Sequence, residues 1–230
     1  MAGPAVIFPS LVLAAFVALF LLLGFLFVLL QVGAIGYAFA LAGIPPHYMF
    51  LVLFLSLAGS WVNIPLKTVR SRQPAMDPAS SRPLSLFHLP RPLPHTGETT
   101  IALNVGGAVI PTAVSIYILT RLADVGGVLL ATAVVGLVCY KLARPVPGLG
   151  IAMPLLLPAL IAAASALLLV PSAAPPAAYV AGSMGALIGA DILHLGRIPE
   201  LGARVASIGG AGTFDGIFFT GVFAVLLAAW

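Results

Sequence analysis

Charge is what this chain has least of. Among 230 residues there are ten Lys or Arg and six Asp or Glu, 7% in all, against 61% hydrophobic residues. Sixteen ionic side chains are too few to coat a water-facing exterior of this size. With a mean hydropathy of +1.18 and apolar runs near twenty residues, a soluble globular domain is excluded and lipid is the expected solvent. Cysteine is nearly absent as well. The single Cys139 rules out a disulfide or a CxxC metal site within one chain and reads as a small buried hydrophobe. No basic residue precedes the first apolar run, Leu11 to Leu30, which is also long for a signal peptide, so a retained first helix is expected. There is no lipidation motif, P-loop, GxSxG or HExxH, and no strand precedes "GGAGTFDG" to make it a dinucleotide fingerprint. In a bilayer protein the +4 balance records topology and does not point to nucleic acid.

What is present divides into apolar spans. They are expected at Phe8–Leu30, His47–Leu66, Thr99–Leu122, Val125–Leu142, Leu149–Val170, Ala177–Leu195 and Ala211–Ala229. "QVGAIGYAFALAG", after the first span, is too long for the same crossing and would lie at the interface. Residues 67–97, rich in Pro and Arg, read as an irregular cytoplasmic loop. The expected fold is therefore all-α: one transmembrane domain over residues 1–230, a bundle of about seven helices. Counted this way, Lys67, Arg70, Arg72, Arg82, Arg91, Lys141, Arg144, Arg197 and Arg204 share a side, and only Arg121 lies opposite. The positive-inside rule then sets the N-terminus in the cytoplasm and the C-terminus outside, in a bacterial or archaeal cell membrane. Gly182, Gly185 and Gly189 recur over two turns and predict a smooth strip for close helix packing, with Asp191 pointing roughly the opposite way.

Two acids stand in apolar company, Asp191 in "LIGADILHL" and Asp215 in "GGAGTFDGIFFTG". A charge at the centre of a spanning helix costs about 2.5–3.5 kcal/mol on insertion scales. Asp215 near a helix N-terminus is tolerated by the dipole, whereas Asp191 near a C-terminus opposes it. The short connection predicts neighbouring antiparallel helices with both acids at similar depth. Two facing carboxylates share a proton, which is the equipment for activating water against a peptide carbonyl. Gly210, Gly212 and Thr213 give backbone that admits water or pairs with an extended substrate.

The order of an acid on one helix, then a glycine-rich turn and an acid on the next, resembles the GxGD aspartyl proteases of presenilin-like and prepilin-peptidase-like type. In that resemblance Asp191 takes the place of the first catalytic aspartate, and Gly210, Gly212 and Asp215 the second element. The spacing departs from the family, with the acid three residues after the second glycine. "SWVNIPL", "LNVGGAVIP", "GADILHL" and "GGAGTFDGIFFTG" together are also similar to a prokaryotic multi-pass family of unknown function. The resemblance to the proteases implies an intramembrane endopeptidase whose partners are a transmembrane peptide substrate and the bilayer. No cofactor is needed, and a homo-oligomer is compatible.

Asn63 and Asn104 lie beside helix-breaking residues in "VNIP" and "NVGG". That pattern fits interhelical hydrogen bonds, or the broken helices of an ion- or proton-coupled transporter with Asp191 and Asp215 as cation sites. His194, three residues after Asp191, falls on roughly the same helical face. Asp191, His194 and Asp215, with His47, Asn63 or Asn104, would form a metal site only without a recognised ligand spacing, so no metal is expected.

Overall fold

The computed structural model describes residues 10–71, 97–146, 150–154, 156–210 and 216–230. Among them the chain is mostly helical. Its α-helices are α1 (Ser10–Leu41), α2 (Pro46–Gly59), α3 (Ile110–Leu119), α4 (Val125–Leu142), α5 (Leu156–Leu169), α6 (Ala174–Ala186) and α7 (Gly216–Ala228). Among the described residues, three helical stretches are long and apolar enough to cross a membrane: Phe16–Leu41, Val125–Leu142 and Pro171–Glu200.

The described residues divide into two compact units, one up to Tyr37 and one from Ala38 onward. In the first, α1 keeps its large side chains from Phe16 to Leu30 exposed, as expected of a helix dissolved in lipid. It does not break after Leu30: α1 runs for 32 residues, about 48 Å, through the stretch expected to lie at the interface. It stops in the second unit, where Gly43 takes φ +79°. There Ile44 N–H donates to Phe39 O and Gly43 N–H to Ala40 O, a Schellman ending. Pro46 then opens α2 at the first helical position, where its missing N–H has no consequence.

In the second unit α6 packs against α3, α4, α5 and α7. Its composition explains this: Ala177, Ala178, Ala181, Gly182, Ser183, Gly185 and Ala186 are all buried, and small residues let backbones approach. The glycines do not serve one neighbour, however. Gly182 abuts Thr220, Gly221 and Ala224 on α7, whereas Gly185 and Gly189 abut Val135, Gly136 and Cys139 on α4. The expected single strip is therefore split between two faces, because α6 is wedged inside the bundle.

The all-α expectation misses a sheet at one end of the helices. Strand β1 (Asn63–Arg70) pairs antiparallel with β2 (Glu98–Asn104), and β2 pairs parallel with β5 (Val205–Ile208). A small hairpin joins β3 (Arg144–Val146) and β4 (Gly150–Ala152). Pro65, with no N–H to donate, sits where the β1 register slips, as tolerated on an edge strand. Ile198, Leu201 and Ala206 bury a second small core beneath this sheet, with Val69, Ile101 and Leu195 packed around it. Several expected spans change accordingly. The second ends as helix at Gly59, and Asn63–Leu66 are strand. Thr99–Asn104 are strand, with α3 preceded by a π turn, Val105–Val109. Of the fifth, Gly150–Ala152 are strand. Lys67–Arg70 belong to β1 and not to an irregular loop. Residues 72–96 and 211–215 lie outside the described residues.

Candidate functional site around Asp191

The helix that begins as α6 changes character just before its acid. Leu187–Asp191 form a π turn and Ile192–Glu200 a run of 3-10 turns, so Asp191 stands at the junction of two irregular geometries. π turns inside helices occur frequently at functional sites. The crowding that surrounds this turn is visible at Gly189, where a Cβ would stand 2.7 Å from that of Cys139.

Asp191 is half-buried, and its Oδ2 accepts a hydrogen bond from Gly209 N–H at 2.6 Å. The donor comes from the turn that ends β5, where Gly209 and Gly210 take φ +87° and +91°. Two consecutive residues in that region all but demand glycine. Space demands it too: a Cβ on Gly209 would stand 2.6 Å from Ala108 N, and one on Gly107 2.8 Å from the Gly209 carbonyl carbon. The π turn at 105–109 and the Gly209 turn are thus locked backbone against backbone.

Behind that contact sits a polar knot. Asn104 is 1% exposed. Its Nδ2 donates to Ser60 O at 2.7 Å and to Asn63 Oδ1 at 3.1 Å, and its Oδ1 accepts from Gly107 N–H at 2.8 Å. Ser207 Oγ on β5 donates to Asn63 Oδ1. Both donors of the Asn104 carboxamide and an acceptor site on its oxygen tie α2, β1 and the π turn together, as a buried amide requires.

The structure therefore gathers Asn63, Asn104, Gly210 and Asp191 around the end of β5. It separates two others. His194 is 3% exposed, and its Nδ1 lies 3.1 Å from Gly189 O; a carbonyl only accepts, so this nitrogen carries the proton. Its ring packs on Tyr140, with centroids 4.9 Å apart. His194 thus faces the α4 side of the π turn and shares no hydrogen bond with Asp191. His47 lies tilted against the Tyr48 ring near the start of α2, about 20 Å along the helix from Ser60. Gly212, Thr213 and Asp215 lie outside the described residues. Sequence reading passed over Ser60, Gly107, Ser207 and Gly209. The "NVGG" and "GG" doublets were the available signal for two of them.

A family model described as protein of unknown function (DUF1614) matches residues 57–227. The chain belongs to this family. No curated protein and no solved structure matches it. The DUF1614 region holds the whole Asn104 knot, the sheet and Asp191, and begins within the last turn of α2.

Proposed function

We propose that this DUF1614 protein is an intramembrane aspartyl protease that uses Asp191 and Asp215 to hydrolyse a peptide bond of a membrane-embedded substrate. The observation that carries the reading is the Gly209 N–H bond to Asp191 Oδ2. It ties the acid of the π turn that follows α6 to the segment that reaches Asp215 six residues later, and α7 begins at the very next residue and packs along α6. Two carboxyls meeting there would hold one proton between them. The ionised one would take a proton from water as its oxygen attacks the peptide carbonyl, and the protonated one would donate to the carbonyl oxygen. Collapse of the tetrahedral diol would then pass a proton to the departing amine. No covalent intermediate or cofactor is required.

Strand β5 supplies the place for a substrate. Among the described residues it is an edge of its sheet, and it runs directly into Gly209. An extended segment pairing with β5 would bring its backbone past Asp191. The resemblance of "GAGTFD" to the GxGD pattern favours the same chemistry.

The topology proposed with this reading is seven crossings, with the N-terminus cytoplasmic and the C-terminus outside, in a bacterial or archaeal cell membrane. Lys67, Arg70, Lys141, Arg144, Arg197 and Arg204 lie at the end of the helices that carries the sheet, while Arg121 lies at the other end, between α3 and α4. That asymmetry is what the positive-inside rule describes. Helices such as α2 and α5, at 14 residues or about 21 Å, are shorter than a hydrocarbon core of about 30 Å. Non-helical backbone at membrane depth is tolerated where it is buried in protein or lines water, and hydrolysis needs water at the acids.

The test is cleavage of a fluorogenic transmembrane peptide by protein reconstituted in liposomes. Asp191→Asn and Asp215→Asn should each abolish cleavage while leaving folding intact; activity surviving either change would overturn the assignment. A second reading, an ion- or proton-coupled transporter, is favoured by the irregular stretch Leu187–Glu200 and the Asn104-capped π turn, since discontinuous helices with polar groups mark such sites. It predicts proton or cation flux in the same liposomes, lost in Asp191→Asn.

A further inference from the structure

We infer that Asn104 is a positioning residue for Asp191, acting through Gly107 and Gly209 over two backbone contacts. The inference rests on Asp191 being the working carboxyl in the reading above. The path is short and each step is geometric. Asn104 Oδ1 accepts from Gly107 N–H at 2.8 Å and so fixes the first turn of the π segment. Gly107 touches the Gly209 peptide so closely that no side chain fits between them. Gly209 N–H, on the residue whose carbonyl Gly107 abuts, donates to Asp191 Oδ2. The other half of the carboxamide anchors the lever, because Asn104 Nδ2 is held by Ser60 O and Asn63 Oδ1.

This arrangement assigns different tasks to the two ends of one side chain. The oxygen sets where Gly107, and hence the Gly209 donor, stands. The nitrogen ties that setting to α2 and β1. A donor displaced by a few tenths of an ångström changes both the direction and the ionisation of the carboxyl that it holds. Asn104 touches no reacting atom, so its effect on chemistry passes entirely through Asp191. The titratable and charged residues on the elements packed against the Asp191 turn, among those described, are Tyr179 on α6, Cys139, Tyr140 and Lys141 on α4, and His194, Arg197 and Glu200 on the 3-10 run. None of them lies on the path.

The experiment is backbone NMR of the full-length ¹⁵N-labelled protein in lipid nanodiscs, following the Gly209 amide across pH. Its resonance reports the ionisation of the carboxyl that it donates to, and Asp191→Asn should remove that titration. Asn104→Ser keeps a side-chain oxygen able to accept from Gly107 N–H and should leave the Gly209 midpoint within about 0.2 pH unit. Asn104→Gly removes the acceptor while remaining tolerated at a helix N-cap; it should shift the midpoint by about 0.5 pH unit or more. A Gly209 titration unchanged in Asn104→Gly, or moved equally by both variants, would overturn the inference. Should Asn104→Gly not fold, the wild type supplies the second measurement: the Gly107 amide, held against the Gly209 peptide, should shift across pH with the Gly209 midpoint, and a Gly107 resonance unmoved through that midpoint overturns the inference equally. Because the readout is an amide resonance, an absence of peptide cleavage in the wild type would defeat the protease reading and leave this coupling to be judged on its own result.

Discussion

Replacing Gly107 by alanine probes the junction that holds the site together. The added Cβ would stand 2.8 Å from the carbonyl carbon of Gly209 and nearer still to its oxygen. The obstacle is backbone, not the movable end of a side chain, so one of the two turns must retreat. Overpacking of this kind costs about 1–3 kcal/mol. If Gly209 retreats, its amide also leaves Asp191 Oδ2, and a hydrogen bond to a charged group contributes about 1.5–3 kcal/mol. The expected loss is therefore about 2.5–6 kcal/mol, a change in the folding equilibrium of roughly 70-fold or more. Gly106→Ala is the matched control. Its Cβ would press on Ser56 O and Ser60 N, the hydrogen-bonded pair that closes α2, and should cost the overpacking part and at most a neutral backbone hydrogen bond while leaving the Asp191 bond in place. The assay is reversible unfolding in mixed micelles, read as a double-mutant cycle with Asp191→Ala. The Gly107 and Asp191 changes should be less than additive by about 1.5–3 kcal/mol, since the same hydrogen bond is lost only once, whereas Gly106 and Asp191 should add. A Gly107→Ala variant no less stable than Gly106→Ala, and additive with Asp191→Ala, would refute the backbone lock between the π turn and the Gly209 turn.

Gly185→Val should separate α6 from α4, because a Cβ there already meets the Val135 Cβ at 2.6 Å; loss of stability comparable to that of Gly107→Ala is expected by the same unfolding assay, and a neutral result would show that the two helices are not in close contact. Thr220 is fully buried, and among the described residues its Oγ1 has no hydrogen-bond partner. Thr220→Val should therefore stabilise the protein by about 1 kcal/mol, while destabilisation would reveal a bonded hydroxyl. In a Cys139→Ala background, Arg144→Cys and Thr120→Cys should react with a membrane-impermeant maleimide from opposite faces of sealed vesicles; labelling from the same face would contradict the proposed topology.

Much of the helical part was legible because lipid makes hydropathy a strong signal. Helix α4, expected at Val125–Leu142, has those bounds. It is started by Asp124, whose carboxylate accepts from Gly127 N–H at 2.8 Å. The strands were not legible for the same reason: "ETTIALN" runs without a break into the apolar "VGGAVIPTAVSIYIL", so its β-branched run was absorbed into a span. Nor does any local pattern announce that Asn63 lies opposite Asn104, or that Leu103 pairs with Ile208. Such pairings are set by register across 41 residues in the first case and 105 in the second. At the site, sequence picked out Asn63, Asn104 and Asp191 by the oddity of polar groups beside helix breakers. It could not foresee that the asparagines bond each other, nor that Asp191 is held by a backbone amide eighteen residues on. His194 misled because helical spacing places it near Asp191, whereas the π turn carries the imidazole toward Gly189 O and Tyr140.

The most direct measurement of the central proposal is disulfide trapping of Asp191→Cys with Asp215→Cys in a Cys139→Ala background, in native membranes. Bridging requires Cα atoms within about 7 Å. Rapid, near-complete formation of the bond is expected under mild oxidation. Failure to cross-link, with a short bifunctional maleimide failing as well, would show that the two acids do not meet and would contradict the aspartyl dyad.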